Sequence, residues 1–98
     1  MVRPRLCRRV RFQPGVTYFK PRGVRMRELE ESVLTVDEFE AVRLKDFQGM
    51  DQADAARKMN ISQPTFHRLV TSARKKLADA IVNGKALRIE GGNYKFFR

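Results

Sequence analysis

One stretch limits the folds open to this chain more than any other. Between Ser62 and Gly84, the apolar residues Phe66, Leu69, Val70, Ala73, Leu77, Ala80 and Ile81 recur at intervals of three and four. An α-helix puts such positions on one face, and that face must be buried against something. Ser62 stands where an N-cap belongs and Pro64 sits in the first turn, where its missing donor costs little. Asn83-Gly84 ends the pattern. The expected helix has about 20 residues and runs roughly 30 Å. Whatever else the chain forms must pack against its apolar stripe.

Two shorter helices precede it. Leu34-Thr35-Val36-Asp37-Glu38 reads as a helix start, with Thr35 as cap and Glu38 three positions on as its capping-box partner. Asp37, Glu38 and Glu40 fall in the first turns, where the helix dipole favours acids. Val36, Phe39, Val42, Leu44 and Phe47 supply an apolar stripe, and Gly49 a left-handed stop. Asp51 caps a second helix that reaches about Met59, with Ala55, Ala56 and Met59 turned inward. Asn60-Ile61-Ser62 joins it to the long helix, and Asn60 tolerates the left-handed conformation such a turn needs. Two helices joined in this way make a helix-turn-helix pattern.

The ends read differently. Residues 1–31 hold Pro4, Pro14 and Pro21, which exclude a long helix. Arg8–Phe12 and Val16–Phe19 are short β-prone runs. In the tail, Leu87 and Ile89 alternate with Arg88 and Glu90, Gly91-Gly92-Asn93 is a turn sequence, and Tyr94–Phe96 alternates again, which reads as a β-hairpin. Arg8–Phe12 can add to it as a third strand. The expected fold is mainly α: a helix-turn-helix core of three to four helices with a small β element from the N-terminal arm and the C-terminal hairpin. The expected division is a basic extended arm over 1–31, a helix-turn-helix body over 32–84, and a hairpin tail over 85–98 packed on the same body.

Charge narrows the function. The 98 residues carry 21 Lys+Arg against 11 Asp+Glu, a net charge of +10 that points to a polyanionic partner. The charge lies in blocks: +9 over residues 1–27, −7 over 28–56 and +8 over 57–98. The acidic block can face away from a polyanion, receive the folded-back basic arm, or be a solvated helix face. With Cys7 alone there is no internal disulfide, and the cytoplasm is the default compartment. No apolar run approaches the roughly 18 residues of a membrane helix. No catalytic cluster, phosphate-cradling glycine loop, metal site or cofactor site is expected.

A major groove admits one helix, whose outward side chains can read base edges. On the long helix, Pro64, Arg68, Thr71 and Lys75 lie opposite the apolar stripe, with His67 and Arg74 on one flank and Thr65 and Ser72 on the other. Gln63 is the first helical residue, and the helix N-terminus usually goes deepest. Gln63 suits an adenine edge, Arg68 a guanine edge and Pro64 a thymine methyl. His67 suits a base or a phosphate. Thr65, Thr71, Arg74 and Lys75 suit phosphates, as do Arg57 and Lys58. Arg3, Arg5, Arg8 and Arg9 are candidates for phosphate or minor-groove contacts from the arm. The expected partner is double-stranded DNA. A homodimer is a candidate arrangement, with Tyr94–Phe97 as its interface, because one small half-site reader binds weakly alone. The alternatives are RNA binding through the arm and the aromatic tail, and a non-enzymatic adaptor that uses the acidic 28–56 segment.

Two resemblances bear on this. Leu34-Thr35, Glu40–Leu44, Gly49-Met50-Asp51, Ala56, Met59, Ile61-Ser62, Thr65-Phe66 and Ala73–Leu77 resemble region four of sigma factors, which reads the upstream promoter element. That resemblance implies major-groove docking of residues 63–75. It does not make the chain a sigma factor, since no promoter-melting region accompanies it. Pro4-Arg5, Cys7–Val10, Thr17–Pro21, Arg27–Glu31, Val82–Ala86 and Arg88–Tyr94 resemble uncharacterised protein family 0251, predicted prokaryotic DNA-binding proteins. That family's pattern carries a second cysteine near the position of Arg11 and a basic residue where Gln63 stands. The first departure argues against a cysteine-pair site, and the second against carrying over a base preference.

Overall fold

The structure is a computed structural model that describes residues 7–97. The chain runs β1 (Arg8–Val10), β2 (Tyr18–Phe19), a 3₁₀ turn (Met26–Glu28), β3 (Glu31–Leu34), α1 (Val36–Val42), a π-helical turn (Arg43–Phe47), α2 (Gln52–Lys58), α3 (Gln63–Val82), β4 (Ala86–Ile89) and β5 (Tyr94–Phe96). It is mainly helical with two small sheets.

α3 is the spine, as its periodicity dictates. Phe66, Leu69 and Val70 are buried against Ala41, Leu44, Ala55, Ala56 and Met59. Toward its C-terminal half, Ala73 and Leu77 join a second cluster built from Val10, Leu34, Val36 and Ile89. Ile81 departs from the expected stripe and is 82% exposed. The cap residues act as read: Ser62 accepts from Thr65 N–H, Asp51 from Asp54 N–H, and Thr35 and Glu38 form a reciprocal capping box. Asn60 takes φ 59° in the turn between α2 and α3, and Gly49 takes φ 71°.

The first helix is not one regular helix to Gly49. After Val42 the Gln48 N–H bonds back to the Arg43 carbonyl, five residues away. This wider turn advances side chains by a larger count per revolution than an α-helix does. A stripe counted at 3.6 residues per turn therefore slips. Leu44 stays buried, but Phe47 swings out to 85% exposure. Leu34, taken as part of the helix opening, ends β3 instead.

The ends depart further. β4 and β5 do not pair as a hairpin. β4 is the centre of a three-stranded sheet, parallel to β3 and antiparallel to β2, with Leu87 opposite Ser32 and Phe19. β5 pairs in parallel with β1, Val10 opposite Phe96. Residues 91–93 span the two sheets by crossing the start of α1, where the Val36 N–H donates to the Gly91 carbonyl at 3.0 Å. Gly92 has φ 102°, and a Cβ there would lie 2.3 Å from Asp37 Oδ1. The glycine pair is a close crossing rather than a two-residue hairpin turn. β3 also crosses the boundary expected between 31 and 32, so the segment before it is tied into the body.

Candidate nucleic-acid interface

The exposed face of α3 is built from the side opposite its buried stripe. Gln63, Pro64, His67, Arg68, Thr71, Ser72, Arg74 and Lys75 are exposed, and Thr65 is half-buried. Thr65 is partly occupied in place: its hydroxyl accepts from Ser62 and from Arg68 Nη2 at 3.3 Å. Between Gln63 and Lys75 the helix carries no acid. Gln52 Nε2 donates to the Gln63 carbonyl, tying α2 to the start of α3.

Two of the expected cations are committed elsewhere. Arg74 makes two hydrogen bonds to the Asp46 carboxylate, at 2.6 and 3.0 Å. The Arg74 guanidinium holds the Asp46 carboxyl below its usual value. Arg57 pairs with Asp54 on its own helix. A guanidinium held by a carboxylate can reach a phosphate only by leaving that partner, so these two are weaker contacts than their positions suggest. Among the described residues, Arg68, Lys75 and Lys58 are in no ion pair.

β1 comes to the edge of the same face. The Arg9 N–H donates to the Met59 carbonyl at 3.0 Å, which sets β1 against the turn between α2 and α3. Arg8, Glu38, Thr65, Arg68, Leu69 and Ser72 together line a recess of about 330 Å³. Arg8 itself is held by Asp37 at 2.5 Å, and the Arg9 guanidinium lies 4.3 Å from the centre of the Phe97 ring. Both are therefore engaged within the fold. Arg3 and Arg5 lie outside the described residues.

Sequence reasoning missed why these groups converge. Asp37 and Glu38 do stand in the first turn of α1, but with Glu40 they are not a solvated helix face: all three are buried. Asp37 holds Arg8, Glu40 takes a bidentate grip on Arg43 and accepts the Arg11 N–H, and Glu38 accepts from Lys76 Nζ and Ser72 Oγ, both at 2.6 Å. Burial pushes the Glu38 carboxyl up, but Lys76, Ser72 and Thr35 together draw it below the usual glutamate value. The spacing of Ser72 and Lys76, one helical turn apart, was the available signal. Asp37, Glu38 and Glu40 thus form an internal clasp. At the surface Glu31 pairs with Arg88, and Glu30 lies 3.7 Å from Lys85. This leaves Glu38 unavailable as a docking group for a basic protein.

The aromatic tail is also partly engaged. Tyr94 and Phe96 pack edge to face at 5.2 Å, while Phe96 and Phe97 stay partly exposed. No helix among the described residues is long and apolar enough to cross a membrane.

The class defined by these features is a small, mainly helical protein with two short sheets and an exposed cationic helix face. A family model described as "Protein of unknown function DUF134" matches residues 1–97, and the chain belongs to that family. It is similar to the UPF0251 protein of Moorella thermoacetica, with 63% identity over 94 residues, which covers 96% of this chain and 63% of the relative. The UPF0251 protein of Thermoanaerobacter pseudethanolicus is 57% identical over 97 residues, covering 99% of this chain and 82% of the relative. That of Caldanaerobacter subterraneus is 58% identical over 97 residues, with the same coverage. No solved structure matches the chain.

Proposed function

We propose that this protein is a non-enzymatic, sequence-specific reader of double-stranded DNA that acts as a transcriptional regulator. In this reading, α2, the turn at Asn60 and α3 form a helix-turn-helix, and the first half of α3 enters the major groove. One observation carries it: the face of α3 from Gln63 to Lys75 is exposed and acid-free, while its opposite face is locked into the core. A groove reader needs both, a rigid back and a front free of charges that phosphates would repel.

Gln63, Pro64, His67 and Arg68 are then the base-reading positions, and Thr71 and Lys75 hold phosphates with Lys58. Arg74 adds a phosphate contact only by sharing with Asp46. The placement of β1 beside the turn brings Arg8 to the edge of the same face. A homodimer would set two half-sites about 34 Å apart or a multiple of it. The nucleoid is the place this activity implies.

Selection from randomised duplexes at near-physiological salt tests the reading. An enriched motif is expected. Arg68→Ala should cost about 1–3 kcal/mol on that motif and relax one base position. Tighter binding to single-stranded or structured RNA than to any duplex would sink the proposal.

A further inference from the structure

One cavity in the fold lies away from the face of α3 assigned to DNA. It is a groove of about 940 Å³ between the C-terminal half of α3, the α1–π segment and the three-stranded sheet. Its walls are apolar, with Phe12, Phe19, Phe39, Leu77, Leu87 and Ile89 among the lining residues. Phe12 stacks on Phe39 with ring centres 6.1 Å apart, so this wall is held in place. Ile81 and Phe47 stand at the rim, 82% and 85% exposed. The volume falls within the range of about 300–1,000 Å³ typical of small-molecule sites.

The charged groups on this groove are all cationic. Lys20, Arg43, Gln48 and Lys85 line it, and no acid does. Arg43 is spent on Glu40, and Lys85 on Asp79 and Glu30. Lys20 differs. Its ammonium donates to the neutral carbonyls of Pro21 and Val24, at 3.1 and 2.5 Å, and among the described residues it faces no acid. An ammonium has three donors, so one N–H and the full charge remain for an anion. A second copy of this chain fits the groove poorly, because it carries the same +10 charge and brings its own cations to the same rim.

We propose that this groove binds a small apolar carboxylate, with the hydrocarbon body on Phe39, Leu77 and Leu87 and the carboxylate on Lys20. The bound molecule lies against the C-terminal half of the helix whose first half is assigned to DNA. The site is therefore placed for an effector, although its existence does not depend on DNA binding.

The test uses the whole chain without DNA. Decanoate, kept below its micelle concentration, is titrated while the methyl resonances of Leu77, Ile81 and Leu87 are followed by NMR. Saturable shifts confined to groove methyls are expected, with decylammonium at least about tenfold weaker, the scale of one charge-assisted hydrogen bond. Lys20→Gln, at an exposed residue, should keep the fold and abolish that preference. The proposal is overturned by equal affinity for the two head groups, by unchanged preference in Lys20→Gln, or by no saturable shift. It is equally overturned if sedimentation shows a dimer that Ile81→Glu dissociates, which would seat a second copy there. Capture by anionic vesicles that Ile81→Glu abolishes would make the face a membrane surface and overturn it too.

Discussion

Glu38 is the side chain whose removal should cost most for its size. It is 4% exposed, and its two oxygens accept from Lys76, Ser72, and both the N–H and the hydroxyl of Thr35. Glu38→Ala deletes all of these at once. Breaking a buried ion pair from one side costs about 3–5 kcal/mol when the stranded charge stays buried. Lys76 keeps 35% of its side-chain surface in water, so its ammonium can rehydrate and the loss falls to about 2 kcal/mol. The broken capping box adds about 1 kcal/mol. A total near 3 kcal/mol should lower the melting temperature by roughly 12–24 °C in a chain of this size. Glu38→Gln keeps the acceptor for Thr35 and loses the charge, so it should fall between the two proteins. The pH dependence separates the terms. Folding holds the Glu38 carboxyl below its ordinary value, so its contribution is complete above the unfolded-state pKa of about 4.3. It fades as the pH falls through the lower folded value. The Gln variant should lack that part of the acid-induced loss. Thermal melts by circular dichroism between pH 3 and 7 measure both effects. A drop under about 4 °C for Glu38→Ala at pH 7, or wild-type acid sensitivity in Glu38→Gln, would refute the clasp.

Gly92→Ala should destabilise by about 2–4 kcal/mol, since its Cβ would meet Asp37 and Thr35 at a φ that L residues rarely adopt; Gly15→Ala, with nothing within 4 Å, is the matched control in the same melt. Phe47→Ala should change stability by less than about 0.5 kcal/mol in urea titration, because the π turn has already put that ring in water. Lys75→Ala should weaken duplex binding evenly across sequences and reduce the salt slope by about one unit, with the melting temperature unchanged. Arg74→Ala should cost less in binding than Lys75→Ala, since Arg74 must first give up Asp46.

What the sequence made legible was local. The α3 stripe and the caps at Thr35, Asp51 and Ser62 are encoded by neighbours in sequence, and so is the left-handed Asn60. Apart from Ile81 at the end of the stripe, these were read correctly because no distant residue decides them. What it hid was decided by partners far along the chain. β3 escaped notice because its inward positions are Ser32 and Leu34, and a serine there breaks the alternation. Ser32 is tolerated because its hydroxyl donates to the Lys76 carbonyl, 44 residues away. The hairpin reading failed for a similar reason. Gly91-Gly92-Asn93 has the local chemistry of a turn, but β4 already has neighbours on both edges, so β5 must find β1. The expectation that Arg8–Phe12 joins the tail was nearer the outcome, as Arg8–Val10 pairs with Tyr94–Phe96.

The charge blocks follow the same logic and bear on the proposed interface. A chain with +9 and +8 ends around a −7 centre could fold with that centre displayed or consumed. Here it is consumed: Asp37, Glu38, Glu40 and Asp46 take Arg8, Lys76, Arg43 and Arg74. Each pair neutralises one cation as well as one acid. The field presented to a polyanion is therefore set by the cations left over, and Arg68, Lys75 and Lys58 are the ones on α3 and α2. If the proposed reading is right, reversing a leftover charge should alter DNA affinity at constant stability. Reversing a consumed one, as in Lys76→Glu, should alter stability first, with binding lost only as the fold is lost. Paired melting and binding measurements on Lys75→Glu and Lys76→Glu distinguish the two, and equal effects on both properties would break the link between clasp and interface.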